Sequence, residues 1–363
     1  MKKTHLYDQH LKLNAKMVDF TGFSMPIWYS SIIDEHIHVR NACGLFDVSH
    51  MAEFYIKGKG STDFIDKLTT NSIRSMNDGK VLYTLLCDEE GGCIDDLLVY
   101  RFNNELYMIV ANACNRISVF EWFSKHASSF DIEIEDKTDE ISMIAIQGPG
   151  SVDALQKIGF SINDDFLYYT YSYLNCNDIN YLCSRTGYTG EEGFEIFGAG
   201  EEISKIWQML LSSDADVRPI GLGARDTLRM ECCFSLYGHE ISRDITPLEA
   251  GLSWAVDKNK EFIGKSAMIN KGRGRVLAGF DMIERGIPRP ELEIYSSENK
   301  RIGFVTSGSF LPFIKKNMGL CIIDAEFASL DNEINIDIRG KKKKARIVKR
   351  PFYIPCQRRR KDK

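Results

Sequence analysis

Apolar positions along the first third of the chain switch between helical and alternating spacing several times. Residues 30–42 repeat at helical spacing and stop at Cys43-Gly44, which predicts a helix. Residues 45–55 read as one strand, opening with Phe46-Asp47-Val48-Ser49-His50-Met51. Gly58 and Gly60 frame a turn, and residues 62–68 set apolar side chains at i, i+3 and i+4, the face of a helix. Residues 81–87 and 94–101 are strand-like. Asp88-Glu89-Glu90-Gly91-Gly92 joins them, a hairpin signal. Another strand is expected over 105–111 and a helix over 116–127.

A second passage of the same kind follows. Residues 141–147 are strand-like, Gly148-Pro149-Gly150 breaks the run, and 152–158 has helical spacing. It continues through a β-rich stretch over 184–197 and a helix over 201–211. Gly221-Leu222-Gly223 follows no clear strand and lacks the full G-x-G-x-x-G, so a dinucleotide fingerprint is a weak reading. A helix over 224–230 with Arg225 near its start fits better. After Trp254 the helices thin out. Residues 276–348 form short strands separated by Gly, Asn and Asp, as in a small barrel or sandwich. Strands and helices interleave without long regular alternation, which predicts an α+β fold with mostly antiparallel sheets.

The chain has 363 residues, 44% hydrophobic and 27% charged, enough for two or three cores. A net charge of -5 argues against a nucleic-acid binder. No apolar run approaches the ~20 residues that span a bilayer. The opening residues lack a leader pattern, so a cytoplasmic location is expected. Ten scattered cysteines without a C-x-x-C pair suit a reducing compartment, and His36 and His38 lie on different sides of a helix, so no metal site is expected. Basic residues dominate from Arg339 onward, with runs at 341–344 and 358–361. These read either as a solvated turn and frayed end or as a patch that steers an acidic partner.

Two stretches carry candidate chemistry. In Gly91-Gly92-Cys93-Ile94-Asp95-Asp96, two acids stand where a tight turn enters an apolar strand. Period-2 geometry sends one carboxylate to each face, and the inward one suits holding or relaying a proton. A polar turn ahead of an ordinary core strand has the same pattern. In Tyr188-Thr189-Gly190-Glu191-Glu192-Gly193-Phe194-Glu195-Ile196, Glu195 is an acid between apolar neighbours and needs donors if buried. A planar heterocycle with adjacent N–H groups would supply them, and so would a buried arginine.

These stretches resemble the glycine cleavage system T-protein (aminomethyltransferase) family. So do Leu6-Tyr7-Asp8, residues 15–23, Met25-Pro26, residues 44–51, 91–100, 221–229, Leu236-Tyr237-Gly238, residues 246–254, and 303–308 with Lys315-Lys316-Asn317. The blocks keep family order over nearly the whole chain. The resemblance implies a three-domain cloverleaf around a central folate channel. Residues 1–50 plus 140–255 would form a discontinuous folate-binding domain, 51–139 an inserted α+β domain carrying the catalytic acid, and 256–363 a C-terminal β-barrel with the basic tail. Asp96 would be the catalytic carboxylate and Glu195 the acceptor for the pterin N–H groups. Arg225 would bind ligand, and Tyr83, Tyr168, Tyr188, Met51 and Asn112 would form pocket walls.

The implied reaction moves the methylene of a lipoyl-bound aminomethyl group to tetrahydrofolate, releasing ammonia and forming 5,10-methylene-tetrahydrofolate. Tetrahydrofolate would be the co-substrate, the lipoylated glycine cleavage H-protein the partner, and no metal, nucleic acid or membrane is implied. The chain departs from the family pattern at Cys232-Cys233, where relatives often have Ala-Gly. It departs again beyond Pro351-Phe352, where some place a ligand-binding tyrosine. Tyr353 or a terminal arginine is the candidate for the folate tail here. Two rivals share the resemblance, a free-standing folate-dependent demethylase and a non-enzymatic folate-binding relative. The second is marked by a K-G-C-Y-x-G-Q-E stretch that this chain lacks.

Overall fold

The structure is a computed structural model that describes residues 1–163, 165–272 and 274–356. Its strands form two open sheets, a closed barrel and a small two-stranded ribbon. The larger open sheet runs Tyr171–Cys176, Ile179–Ser184, Gly193–Gly198, Ser142–Gln147, Cys43–Asp47 and Val217–Pro219. Only the last pair is parallel. The second sheet orders Val81–Cys87, Cys93–Asn103, Leu106–Ala111, Ala52–Lys57 and Glu133–Asp136, antiparallel throughout. Six strands from Arg275–Met282 to Lys341–Val348 close the barrel. The mixed, mainly antiparallel α+β architecture is the one the apolar spacing predicts.

Each layer has its own core for a periodic reason. The helix Gly200–Ser212 puts Ile203, Ile206, Trp207 and Leu210 on one face, all buried against Ile144, Ile146, Phe194 and Ile196 of the larger sheet. Each such side chain contributes roughly 1.5–3 kcal/mol by leaving water. The helix Ser61–Leu68 and the helix Arg116–Ala127 cover the second sheet with Phe64, Ile65, Leu68, Val119 and Phe123. The other faces of both sheets meet through Phe46, Val81, Tyr100, Met108, Ala145 and Phe197. That contact holds the hairpin Val81–Cys87/Cys93–Asn103 against the strand Gly193–Gly198.

Three expectations need correction. The single strand over 45–55 is two strands, Cys43–Asp47 and Ala52–Lys57, in different sheets. Asp47 accepts from the Ser49 backbone N–H at 2.9 Å and Met51 N–H bonds the Val48 carbonyl, so the chain turns and crosses between sheets. Alternation continues across that turn, which hides it from periodicity. The glycine pair at 221 and 223 does follow a strand, the short Val217–Pro219, and the helix begins at Leu222. The lysines at 341–344 belong to the barrel strand Lys341–Val348, not to a solvated turn. Its Ala345 and Ile347 point inward, and Lys342 pairs across to Asp337. The basic run at 358–361 lies outside the described residues.

Candidate functional site

The hairpin that carries the paired acids is pinned from behind. A Cβ on Gly92 would sit 1.8 Å from the Arg243 carbonyl oxygen, so only glycine lets the turn approach the segment leading to Thr246. Cys93 N–H then bonds the Ser242 carbonyl at 2.9 Å. Asp95 is wholly buried and accepts from the Asn112 backbone at 2.9 Å and from the Asn112 and Asn115 amides at 2.7 Å each. Asp96 accepts from Asn112 Nδ2 at 2.7 Å and from the Tyr83 hydroxyl at 3.0 Å. One asparagine amide thus spends both protons on the two neighbouring carboxylates.

Burial raises the Asp96 pKa, opposed by the bonds from Asn112 and Tyr83. Burial and then the charge of Asp96 push Asp95 well above the carboxylate range. Tyr83, held protonated by burial and by Asp96, stacks on Trp254 at 5.2 Å. Asp96, not Asp95, faces a cavity of about 810 Å³.

Glu195 and Arg225 line the same cavity. Glu195, 7% exposed, receives one hydrogen bond among the described residues, a short one from the Thr186 hydroxyl. Tyr100 and Ser184 continue that hydroxyl chain at 3.1 and 2.6 Å. Burial raises the Glu195 pKa, while Thr186 and the charge of Arg225 pull it down. Arg225 projects from the first turn of the helix Leu222–Glu231, with its guanidinium 4.8 Å from the Tyr188 ring centre. Among the described residues no carboxylate comes within ion-pair distance of it, and burial lowers its pKa. Tyr188 donates to the Ser235 carbonyl and stacks on Phe234.

All eight candidates (Met51, Tyr83, Asp96, Asn112, Tyr168, Tyr188, Glu195 and Arg225) line this one cavity. A neighbouring cavity of about 910 Å³ shares Phe20, Tyr188, Arg225, Leu236 and His239 with it.

Sequence reasoning passed over several wall residues. Trp254 and His50 lie inside the resemblance blocks, but nothing in their spacing marks them as cavity-facing. His50 is 3% exposed, its Nδ1 has no hydrogen-bond partner among the described residues, and burial with help from Arg225 pushes its pKa down to about 4. Cys114, Cys232 and Cys233 also reach the cavity, and burial raises Cys232 and Cys233 to about 12, so they remain thiols. Tyr353 is not in the wall. It donates to Glu191 at 2.5 Å and its ring covers Arg40. Among the described residues no group of three His, Cys, Asp or Glu is placed to hold a metal ion, and no helix is long and apolar enough to cross a membrane.

Residues 6–260 match the model of the GCVT N-terminal domain, and residues 275–353 match that of the glycine cleavage T-protein C-terminal barrel domain. The chain belongs to the glycine cleavage T-protein family. An aminomethyltransferase of Caldanaerobacter subterraneus subsp. tengcongensis is 46% identical over 97% of this chain and 96% of its own length. One of Thermosipho melanesiensis is also 46% identical, over 97% of each chain. The crystal structure of glycine cleavage system aminomethyltransferase T from Bartonella henselae superposes with a TM-score of 0.92 at 31% identity, covering 98% of both chains. The family members thus share the whole architecture, barrel included.

Proposed function

We propose that the 810 Å³ cavity is a tetrahydrofolate site in which Asp96 stabilises the cationic carbon passed from a lipoylated carrier protein. The chain is an aminomethyltransferase of the glycine cleavage system. When bound, tetrahydrofolate supplies the nitrogens that take up the methylene as ammonia leaves. The fit rests on Glu195, a buried carboxylate with one hydroxyl donor and a cavity before it. The adjacent N–H groups of a pterin match that unmet acceptor capacity. Arg225 is available to a ligand oxygen, while Tyr188 and Trp254 offer ring faces to a planar ligand.

The observation that carries the mechanism is Asp96, fixed by Asn112 and Tyr83 at the cavity wall. A pre-oriented anion in a water-poor cavity stabilises developing positive charge without reorganising at the moment of reaction. Because burial raises its pKa, turnover falls as pH drops through that value and the anion is lost. The division of the chain into 1–50 plus 140–255, 51–139 and 256–363 belongs to the same proposal. It is supported by how the strands segregate into two sheets and a barrel. A cytoplasmic setting and the H-protein as donor belong to it as well.

The test is to incubate the purified protein with tetrahydrofolate and aminomethylated carrier. Ammonia and 5,10-methylene-tetrahydrofolate are expected in equal amounts. Asp96→Asn is expected to fold and bind folate but lose ~3 kcal/mol of barrier lowering, roughly a hundredfold in turnover. Near-normal turnover would remove Asp96 from the chemistry.

A further inference from the structure

The hydroxyl chain behind Glu195 joins the two open sheets. Tyr100 stands on the strand Cys93–Asn103, four residues beyond Asp96 and on the same face. Its hydroxyl meets Ser184 Oγ at 3.1 Å, and Ser184 lies directly across from Glu195 in the register of the larger sheet. Ser184 Oγ and Thr186 Oγ1 are 2.6 Å apart, and Thr186 donates to Glu195 Oε2. Thr186 and Glu195 line the cavity, while Tyr100 and Ser184 are wholly buried behind them. Three hydroxyls thus tie the strand that carries Asp96 to Glu195.

Each hydroxyl has one proton, which gives the chain a direction. An ionised Glu195 only accepts, so Thr186 donates to it, Ser184 donates to Thr186, and Tyr100 donates to Ser184. A proton on Oε2 would run the chain backwards. The buried phenol proton of Tyr100 would then have no acceptor, since Ser184 is the only group bonded to its hydroxyl among the described residues. The chain therefore keeps Oε2 an acceptor. Successive hydroxyls also polarise one another, so the aligned set favours the carboxylate over the acid more than Thr186 would alone. Oε1 has no donor among the described residues and is left to a ligand.

We propose that Tyr100 and Ser184, acting through Thr186, hold Glu195 as an acceptor and so restrict the cavity to heterocycles with N–H donors on that edge. They are positioning residues, set in the core between the sheets. The inference rests on the folate reading of the cavity and deepens it, because it names what the pterin edge must carry.

Calorimetry at pH 7 with tetrahydrofolate, and with its analogue carrying methyl in place of the 2-amino group, tests it. Wild-type protein is expected to prefer tetrahydrofolate by about tenfold or more, the scale of hydrogen bonds to a charged acceptor. Tyr100→Phe and Ser184→Ala each break the chain without altering a cavity-wall residue. Each is expected to cut the preference to about threefold or less. As pH falls, tetrahydrofolate binding is expected to weaken at a higher pH in both variants than in wild type, because the carboxylate has lost support. Besides Tyr100, the titratable groups near Glu195 are Arg225, Tyr168 and Tyr169, and burial keeps both tyrosines protonated. Equal weakening of both ligands with an unmoved pH profile would mean that the hydroxyls only pack the core, and would overturn the proposal. So would an unchanged preference in either variant. Wild-type binding indifferent to the 2-amino group would take Glu195 off the pterin, and binding of neither ligand would end the folate reading. The inference falls in both cases.

Discussion

Arg225 and Arg229 lie one turn apart on the helix Leu222–Glu231, yet their surroundings are opposite. Arg229, 1% exposed, donates to Asp226 at 2.7 and 2.9 Å, to Glu240 at 2.8 Å, to Ser307 at 2.9 Å and to the Phe234 carbonyl at 3.2 Å. Despite burial, Glu240 and Asp226 raise its pKa above the arginine value. It joins the helix to the barrel strand Arg301–Leu311. Arg225 has an aromatic face and no carboxylate within reach among the described residues, and burial lowers its pKa. Residue type and burial do not separate a strut from a binding group. The number of donors left unmatched beside a cavity does.

The acids divide the same way. Glu240 is saturated by Arg229, Thr306 and Ser307, whereas Glu195 has a single hydroxyl and a cavity. Glu53 is a third case. It is wholly buried on the strand Ala52–Lys57, with neither carboxyl oxygen bonded among the described residues, and burial pushes its pKa well above the usual value.

The largest effect expected from breaking this contrast is at the strut. Arg229→Met leaves Glu240 buried without its charge partner and should cost about 3–5 kcal/mol of stability. Urea unfolding measures it, and a loss below about 1 kcal/mol would mean the ion pair holds little together.

Glu53→Gln sharpens the third category. The folded carboxyl keeps its proton above the unfolded value, so its favourable contribution is whole at low pH and fades as pH rises toward the folded pKa. The variant should therefore gain on wild type by up to roughly 1.4 kcal/mol per pH unit above pH 4.5. Melting curves from pH 5 to 8 that stay parallel would show that Glu53 ionises freely in the folded protein.

The smallest effects concern the cavity pair. Glu195→Ala and Arg225→Gln should each weaken tetrahydrofolate binding by about tenfold or more while leaving the unfolding midpoint within about 0.5 kcal/mol of wild type. Calorimetry beside urea titration reads both. A large stability loss with unchanged affinity would make Arg225 another Arg229.

Much of this was legible before the structure. The helix over 116–127 has the same bounds in the fold, and the hairpin around Asp88–Gly92 forms as its turn chemistry requires. Asp96 and Glu195 stood out because each is an acid set into an apolar strand. Trp254 and Arg350 did not, because a residue after a turn or a strand end carries no periodic signal of the wall it will face.

Local spacing determines secondary structure, since the 3.6 and 2.0 periods are properties of a few adjacent residues. From them came the α+β class, the barrel strands and the two acid-bearing stretches. Only the tertiary structure decided that the chain leaves one sheet for another at Val48–Met51, that Asn112 serves both Asp95 and Asp96, and that Arg225 faces space where Arg229 faces carboxylates. Whether a buried charge is matched depends on partners drawn from distant segments. No pattern along the chain records which of them will meet.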